Sequence, residues 1–303
     1  MKTCSLRIGC VAVVAVSSLA SAGEFPSRYY VIETNLPRER AEQFGRVMDA
    51  AGQEYHRLFS GFRGKVREKP RVKIFATKAQ YLQAFARSCG EPNANARGVF
   101  CHMDKVVYTY VGDDDDGQLE AILKHECFHQ FADSVVGGGL PTWTNEGLAE
   151  YFSEGEFNTK TGRLALGAVP GWRLKLLREA RKNRQWIPVA RLLTIDGRSW
   201  SDTLRRGRGG VQYSEAWLLC HFLIHADRGK FAPLFDQYLS LLDQSQDGLV
   251  SFKRVFGDDL APLEQQLVAY LDGLKADDAK KPTTAHGKKR PKKKRAKRSR
   301  RGT

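Results

Sequence analysis

The residues of this 303-residue chain with the clearest chemical capacity lie at His125-Glu126-Cys127-Phe128-His129, inside a stretch predicted to be helical. A helix advances about 3.6 residues per turn, so side chains four apart stand one above the other on a single face. Two imidazoles at that spacing can direct their nitrogens at one Zn²⁺. Glu126, one step along, projects beside such an ion rather than onto it. There it can take a proton from a metal-activated water, whose pKa falls to about 7. Five residues are weak evidence alone, because so short a pattern recurs by chance. The next segment, Pro141 to Phe152 (PTWTNEGLAEYF), strengthens it. Gly137-Gly138-Gly139 and Pro141 end the first helix and turn the chain, and a second helix is predicted from about Thr144. Catalytic zinc takes three protein ligands and keeps a fourth position open, and Glu146 supplies the third. Glu150, four residues on, shares the face of Glu146 and can accept the free N–H of one histidine, which fixes its tautomer.

HECFH followed by W-T-NEGLAEYF resembles the gluzincin metallopeptidases. It is similar to the thermolysin-like and aminopeptidase N-like groups, and most of all to the peptidase MA-like proteins. The resemblance implies a zinc-dependent peptidase with His125, His129 and Glu146 as ligands, Glu126 as general base and Glu150 as the acid behind a ligand histidine. It extends to Gly210-Val-Gln-Tyr213-Ser-Glu-Ala-Trp-Leu-Leu, which resembles the segment whose tyrosine hydrogen-bonds the tetrahedral intermediate in aminopeptidase N-like enzymes. That gives Tyr213 the role of a donor aimed at the developing oxyanion. Gly98 to His102 precedes the zinc helix where gluzincins run a strand along the cleft. Gly98 and Val99 are therefore expected to bind a substrate peptide by backbone hydrogen bonds. Two departures matter. Sixteen residues separate His129 from Glu146, fewer than in the best-known relatives, which a shortened loop explains. The G-x-M-E-N exopeptidase motif is absent, so endopeptidase action is expected. The motifs span Gly98 to Leu223, under half of the chain.

The elements that must position these residues are read from periodicity. Tyr29–Thr34, Arg71–Ala76, Gly98–His102 and Lys105–Val111 read as strands, and Arg38–Phe59 and Lys78–Arg87 as helices between them. A long helix follows over Leu119–Val135. Beyond it the pattern is helical almost throughout: Thr144–Phe152, Gly171–Lys182, Tyr213–Ala226, Phe231–Leu242 and Leu260–Leu274. The expected class is α+β, a small mixed sheet with helices (about 23–136) followed by a mostly helical half (about 137–275), as one gluzincin-like catalytic domain. Asp113 to Asp116 reads as the N-cap of the long helix rather than a calcium loop.

Charge is distributed unevenly. Of the formal +15, residues 276–303 carry +11, with thirteen Lys/Arg against Asp277 and Asp278. Lys2 and Arg7 contribute +2, which leaves +2 for 23–275. The tail lacks apolar residues able to form a core and is expected to be disordered. Residues 1–22 read as a signal peptide: Lys2 and Arg7, the apolar run Ile8 to Val16, then Ala20-Ser21-Ala22. No stretch is long enough for a transmembrane helix. A secreted or extracytoplasmic protein follows, in the periplasm, the envelope or the medium. Its tail then meets an anionic envelope polymer rather than nucleic acid, by attraction that is sequence-blind and salt-sensitive. Cys4 and Cys10 leave with the leader. Cys89 and Cys101 either form a disulfide or remain separate thiols.

Other motifs read as structural. His221 and His225 are also four apart, but on an apolar helix with no adjacent Glu, so they are packing histidines. Cys127 is a small buried residue. Arg205 to Gly210 reads as a solvated loop, with a basic flap over the cleft as the alternative. No G-x-S-x-G or phosphate-cradling loop occurs. The rival function is a catalytically inactive, zinc-stabilised binding protein held to envelope polymers by its tail. Glu126 favours catalysis, since a pure binding module needs no base beside the metal.

Overall fold

The computed structural model describes residues 23–91, 96–112, 116–244 and 247–277. Residues 1–22, expected to be a signal peptide, the basic tail from 278 on and Asp113 to Asp115 lie outside the described residues. Four-residue β1 (Gly23–Pro26) leads into β2 (Val31–Thr34), α1 (Arg38–Leu58), β3 (Arg71–Phe75), α2 (Lys78–Cys89), β4 (Gly98–Cys101) and β5 (Val106–Tyr110). These strands form one five-stranded sheet in the order β1-β2-β3-β5-β4. The β2-β3-β5 centre is parallel and both edges pair antiparallel, so the sheet is mixed as expected. A β-α-β chain needs a crossover of helical length between parallel strands, and α1 and α2 supply those crossovers.

The two sheet faces carry different cores. One packs Tyr81 and Phe85 of α2 over Cys101, Val106, Tyr108 and Tyr110. The other packs α1 and α3 (Asp116–Val136) over Ile32, Val72, Ile74, Phe100 and Val107, in a cluster continuous with the helical half. Alternation of side chains along each strand produces this division. The link between Cys89 and Cys101 is a disulfide, which ties the end of α2 to the end of β4.

After α3 come α4 (Thr142–Ser153), the hairpin β6 (Glu156–Asn158) and β7 (Arg163–Ala165), α5 (Gly171–Lys182), α6 (Val189–Leu192) and α7 (Gly197–Arg205). Then follow α8 (Gly209–Gly229), α9 (Ala232–Asp243), α10 (Gly248–Phe256) and α11 (Ala261–Gly273). The Arg205 to Gly210 stretch is a short, mostly exposed joint between α7 and α8, in keeping with the solvated-loop reading. Its tight turn uses Gly207 at φ 72°. The α4 helix is packed between α3 and α8. Gly147 permits this, since a Cβ there would lie 2.5 Å from the Ala216 carbonyl oxygen of α8. Among the described residues no helix is long and apolar enough to cross a membrane.

Candidate metal centre

The helix α3 has only a weak polar face, because it is buried along most of its length, including His125 and Glu126. His125 and His129 fall on the side facing α4, and α4 presents Glu146 to them. His125 Nε2 and His129 Nε2 are 3.0 Å apart, and each lies 3.6 Å from Glu146 Oε2. Ligands about 2.0–2.1 Å from a tetrahedral zinc are separated by about 3.3–3.4 Å, so this triangle has the size such an ion requires. Glu146 Oε2 is buried and accepts no hydrogen bond from any described residue. The two imidazole nitrogens stand 3.6 Å from it, and a cation seated among the three would satisfy it. Two nitrogens and this oxygen are the only such group apart from Cys89, Cys101 and Asp104 among the described residues, and the two cysteines there are already bonded to each other.

The electrostatics point the same way. Burial alone lowers the His129 imidazole, but the neighbouring Glu146 carboxylate outweighs it and lifts the group to about 9. Burial pushes Glu146 up, yet the two imidazoles hold it well below the usual carboxylate range. The cluster thus favours one positive charge between its members.

The outer contacts fix the rings. Asn145 Oδ1 lies 3.1 Å from His129 Nδ1, so that nitrogen donates to it and Nε2 is the nitrogen turned towards the cluster. Glu150 Oε1 stands 3.6 Å from His125 Nδ1, on the expected side of the ring and beyond hydrogen-bond length. The other Glu150 oxygen pairs with Arg173 of α5. Arg173 also donates from Nε to Glu154 Oε1 at 2.9 Å, and its NH1 reaches Ser214 Oγ, beside Tyr213, at 3.5 Å. Only 1% of Arg173 is exposed, which makes it a buried hub between α4, α5 and α8.

Glu126 Oε2 accepts the Phe100 backbone N–H at 2.9 Å. That bond fastens the carboxylate to β4, the open edge of the sheet. It also shows which peptide groups face outward. N–H and C=O of one residue share a direction in an antiparallel strand and alternate along it, so Gly98 and Phe100 face the edge while Val99 faces its partner Tyr108 on β5. The side chain of Val99 packs against the α2 core. Of the expected pair Gly98 and Val99, only Gly98 therefore has its backbone groups on the edge side of β4, because those of Val99 pair with β5. Gly98 also lets α3 approach, since a Cβ there would meet Ile122 Cγ2 at 2.4 Å.

Tyr213 lies near the start of α8, buried and edge-on to Trp200 with ring centroids 5.1 Å apart. Burial raises its phenol well above the ordinary value, and the Glu146, Glu150 and Glu126 carboxylates push the same way. The hydroxyl is therefore protonated at neutral pH. His221 and His225 are satisfied packing histidines, bonded to Gly167 O and to the hydroxyls of Tyr270 and Tyr151. Cys127 is buried, with Sγ 3.7 Å from Met48 Sδ of α1.

Sequence reasoning missed Asn145, Phe100 and Arg173. Only Arg173 left a periodic signal: with Leu177 and Ala180 it occupies the i, i+4, i+7 stripe of α5, an arginine where the buried face should be apolar. Residues 120–240 match a family described as a protein of unknown function (DUF1570). No curated protein matches the chain. The matched span contains His125, Glu126, His129, Asn145, Glu146, Glu150, Arg173 and Tyr213.

Proposed function

We propose that the chain is a zinc-dependent metallopeptidase of gluzincin type that acts outside the cytoplasm, with endopeptidase action favoured. The observation that carries this reading is the convergence of His125, His129 and Glu146 on a space of zinc's dimensions, with Glu126 beside it. The fit of the donors is chemical as well as metric: two neutral nitrogens and one carboxylate form the set that hydrolytic zinc uses. Zinc held there supplies a Lewis acid that polarises a peptide carbonyl and makes water acidic enough to lose a proton near neutral pH.

The residues divide the remaining work. Glu126 takes the proton of the attacking water and hands it to the leaving amine. Its bond to Phe100 N–H engages one carboxylate oxygen and sets the direction of the other. Tyr213, held protonated by burial, donates its hydroxyl proton as a hydrogen bond to the developing oxyanion. Asn145 and Glu150 hold the two imidazoles in orientation. Gly98, on the edge side of β4, offers its backbone groups to an extended substrate.

The test is cleavage of a peptide library by the mature chain, with metal content recorded, beside Glu126→Gln. The reading requires that the wild type cuts and that the variant keeps zinc without cutting. If both hold zinc and neither cuts, the chain is a zinc-stabilised binding protein instead.

A further inference from the structure

We propose that the exposed face of the segment from Arg63 to Lys73 is a docking surface for a linear anionic polysaccharide. The segment leaves α1 and runs into β3, and it places a basic residue at every second position: Arg63, Lys65, Arg67, Lys69, Arg71 and Lys73. Burial follows this period in part, with Glu68 exposed as well. Phe62 and Val72 are buried and Val66 packs on the core, while the five basic residues from Arg63 to Arg71 are exposed and Lys73 is half-buried. Of this row, Arg71 and Lys73 lie in β3, where residues two apart share a face at about 6.6–6.8 Å, and Arg63, Lys65, Arg67 and Lys69 lie on the irregular exposed stretch that leads into it.

The magnitude of the charge separates this row from an ordinary solvated surface. Residues 63–73 hold six cations against Glu68 alone, a balance of +5. The whole of 23–275 carries +2, so the rest of that body is net negative and the row is a segregated positive feature. Its ends are partly neutralised, Arg63 by Asp243, and Arg71 and Lys73 by Glu33. The middle is not. Lys65, Arg67 and Lys69 pair with no carboxylate among the described residues, and the two lysines donate only to the carbonyls of Phe62 and Ser27. Beside them runs a groove of about 610 Å³, floored by Gln130 and Ser134 of α3.

A single-stranded nucleic acid needs open aromatic faces on which bases stack. The adjoining pocket offers little of this: Tyr30 and Phe131 are buried, and the rings of Tyr29 and His56 meet each other at 5.0 Å, with the Arg28 guanidinium 4.9 Å from Tyr29. Recognition is left to charge repeated along a line. A polysaccharide bearing carboxylate or sulfate groups presents that, and arginine and lysine bond such groups well. This inference does not depend on the peptidase reading.

The experiment uses the full mature chain, fluorescein-labelled heparin as the anionic polysaccharide, and anisotropy across a sodium chloride series. Lys65→Gln/Arg67→Gln/Lys69→Gln is compared with Lys175→Gln/Arg191→Gln/Arg198→Gln, which removes the same charge from exposed positions elsewhere. The row variant should bind about tenfold more weakly at 0.1 M salt, with a shallower dependence of log affinity on log salt, and the control should stay within about twofold of wild type. Melting temperatures of both variants verify the fold. Equal weakening in the two variants, or none in either, would show that net charge or the tail alone holds the polymer and would overturn the proposal. So would tighter binding of oligo(dT) of matched charge than of heparin, which would make the surface one for nucleic acid.

Discussion

Two histidine pairs in this molecule share a spacing and diverge in everything else. His125/His129 on α3 and His221/His225 on α8 are both four residues apart, and both place their ring centroids 4.7 Å apart. In the α8 pair the polar atoms find ordinary partners: His221 bonds Gly167 O and Tyr270, and His225 bonds Tyr151. In the α3 pair, Nε2 faces Nε2 at 3.0 Å with a buried carboxylate oxygen 3.6 Å from both. The shifts are opposite in sign. Burial lowers His221 to about 4, whereas Glu146 overcomes burial and lifts His129 to about 9. Spacing therefore puts two imidazoles together, and the third group decides whether they bind a cation or pack.

The largest effect that sharpens this contrast is catalytic. Glu126→Gln should lower peptide cleavage by about 10²–10⁴-fold at unchanged zinc content, since it removes the general base and no ligand. Tyr213→Phe should lower kcat by about 10²–10³-fold with KM little changed, because its hydroxyl acts on charge that develops after binding. A steady-state kinetic series separates the two parameters.

Next comes Arg173→Met. It removes the guanidinium from two buried carboxylates, so zinc should bind about 10–100-fold more weakly through the loosened Glu150–His125 contact. Stability should also fall by about 3–5 kcal/mol, as expected for a broken buried ion pair. Chelator competition and urea denaturation of the metal-free protein report these effects independently.

The smallest effect belongs to the second pair. His221 has a folded pKa of about 4 against 6.5 for the free group. The unfolded chain therefore binds more protons across that window, and stability falls as pH drops from 6.5 towards 4. His221→Gln should remove up to about 3 kcal/mol of that loss and leave zinc content unchanged. Thermal melts at pH 7 and pH 5 test it; an undiminished acid loss in the variant would assign the effect to other groups.

Long periodic elements were legible in the sequence. Arg38–Leu58, Asp116–Val136 and Gly171–Lys182 lie where their apolar spacing puts them, to within three residues, and HECFH with NEGLAEYF led directly to the cluster. Several short elements were not, although the four-residue β2 and β4 were read as strands and the nine-residue α7 and α10 went unread. β1, the β6–β7 hairpin and α6 span only three or four residues each, too few to display a period. The misreading of Val99 has a different cause. Which backbone groups of a strand face outward depends on its pairing with β5, a tertiary fact that strand propensity does not encode. Arg173 was hidden in a similar way, because its carboxylate partners lie 19 and 23 residues earlier on another helix.

The contrast between the two pairs is tested most directly by metal analysis of the purified mature chain, beside Glu146→Ala and His221→Gln. One zinc per chain is predicted for the wild type and for His221→Gln, with zinc lost from Glu146→Ala. Zinc absent from the wild type, or retained in full after Glu146→Ala, would contradict the assignment of the α3 pair as a metal centre.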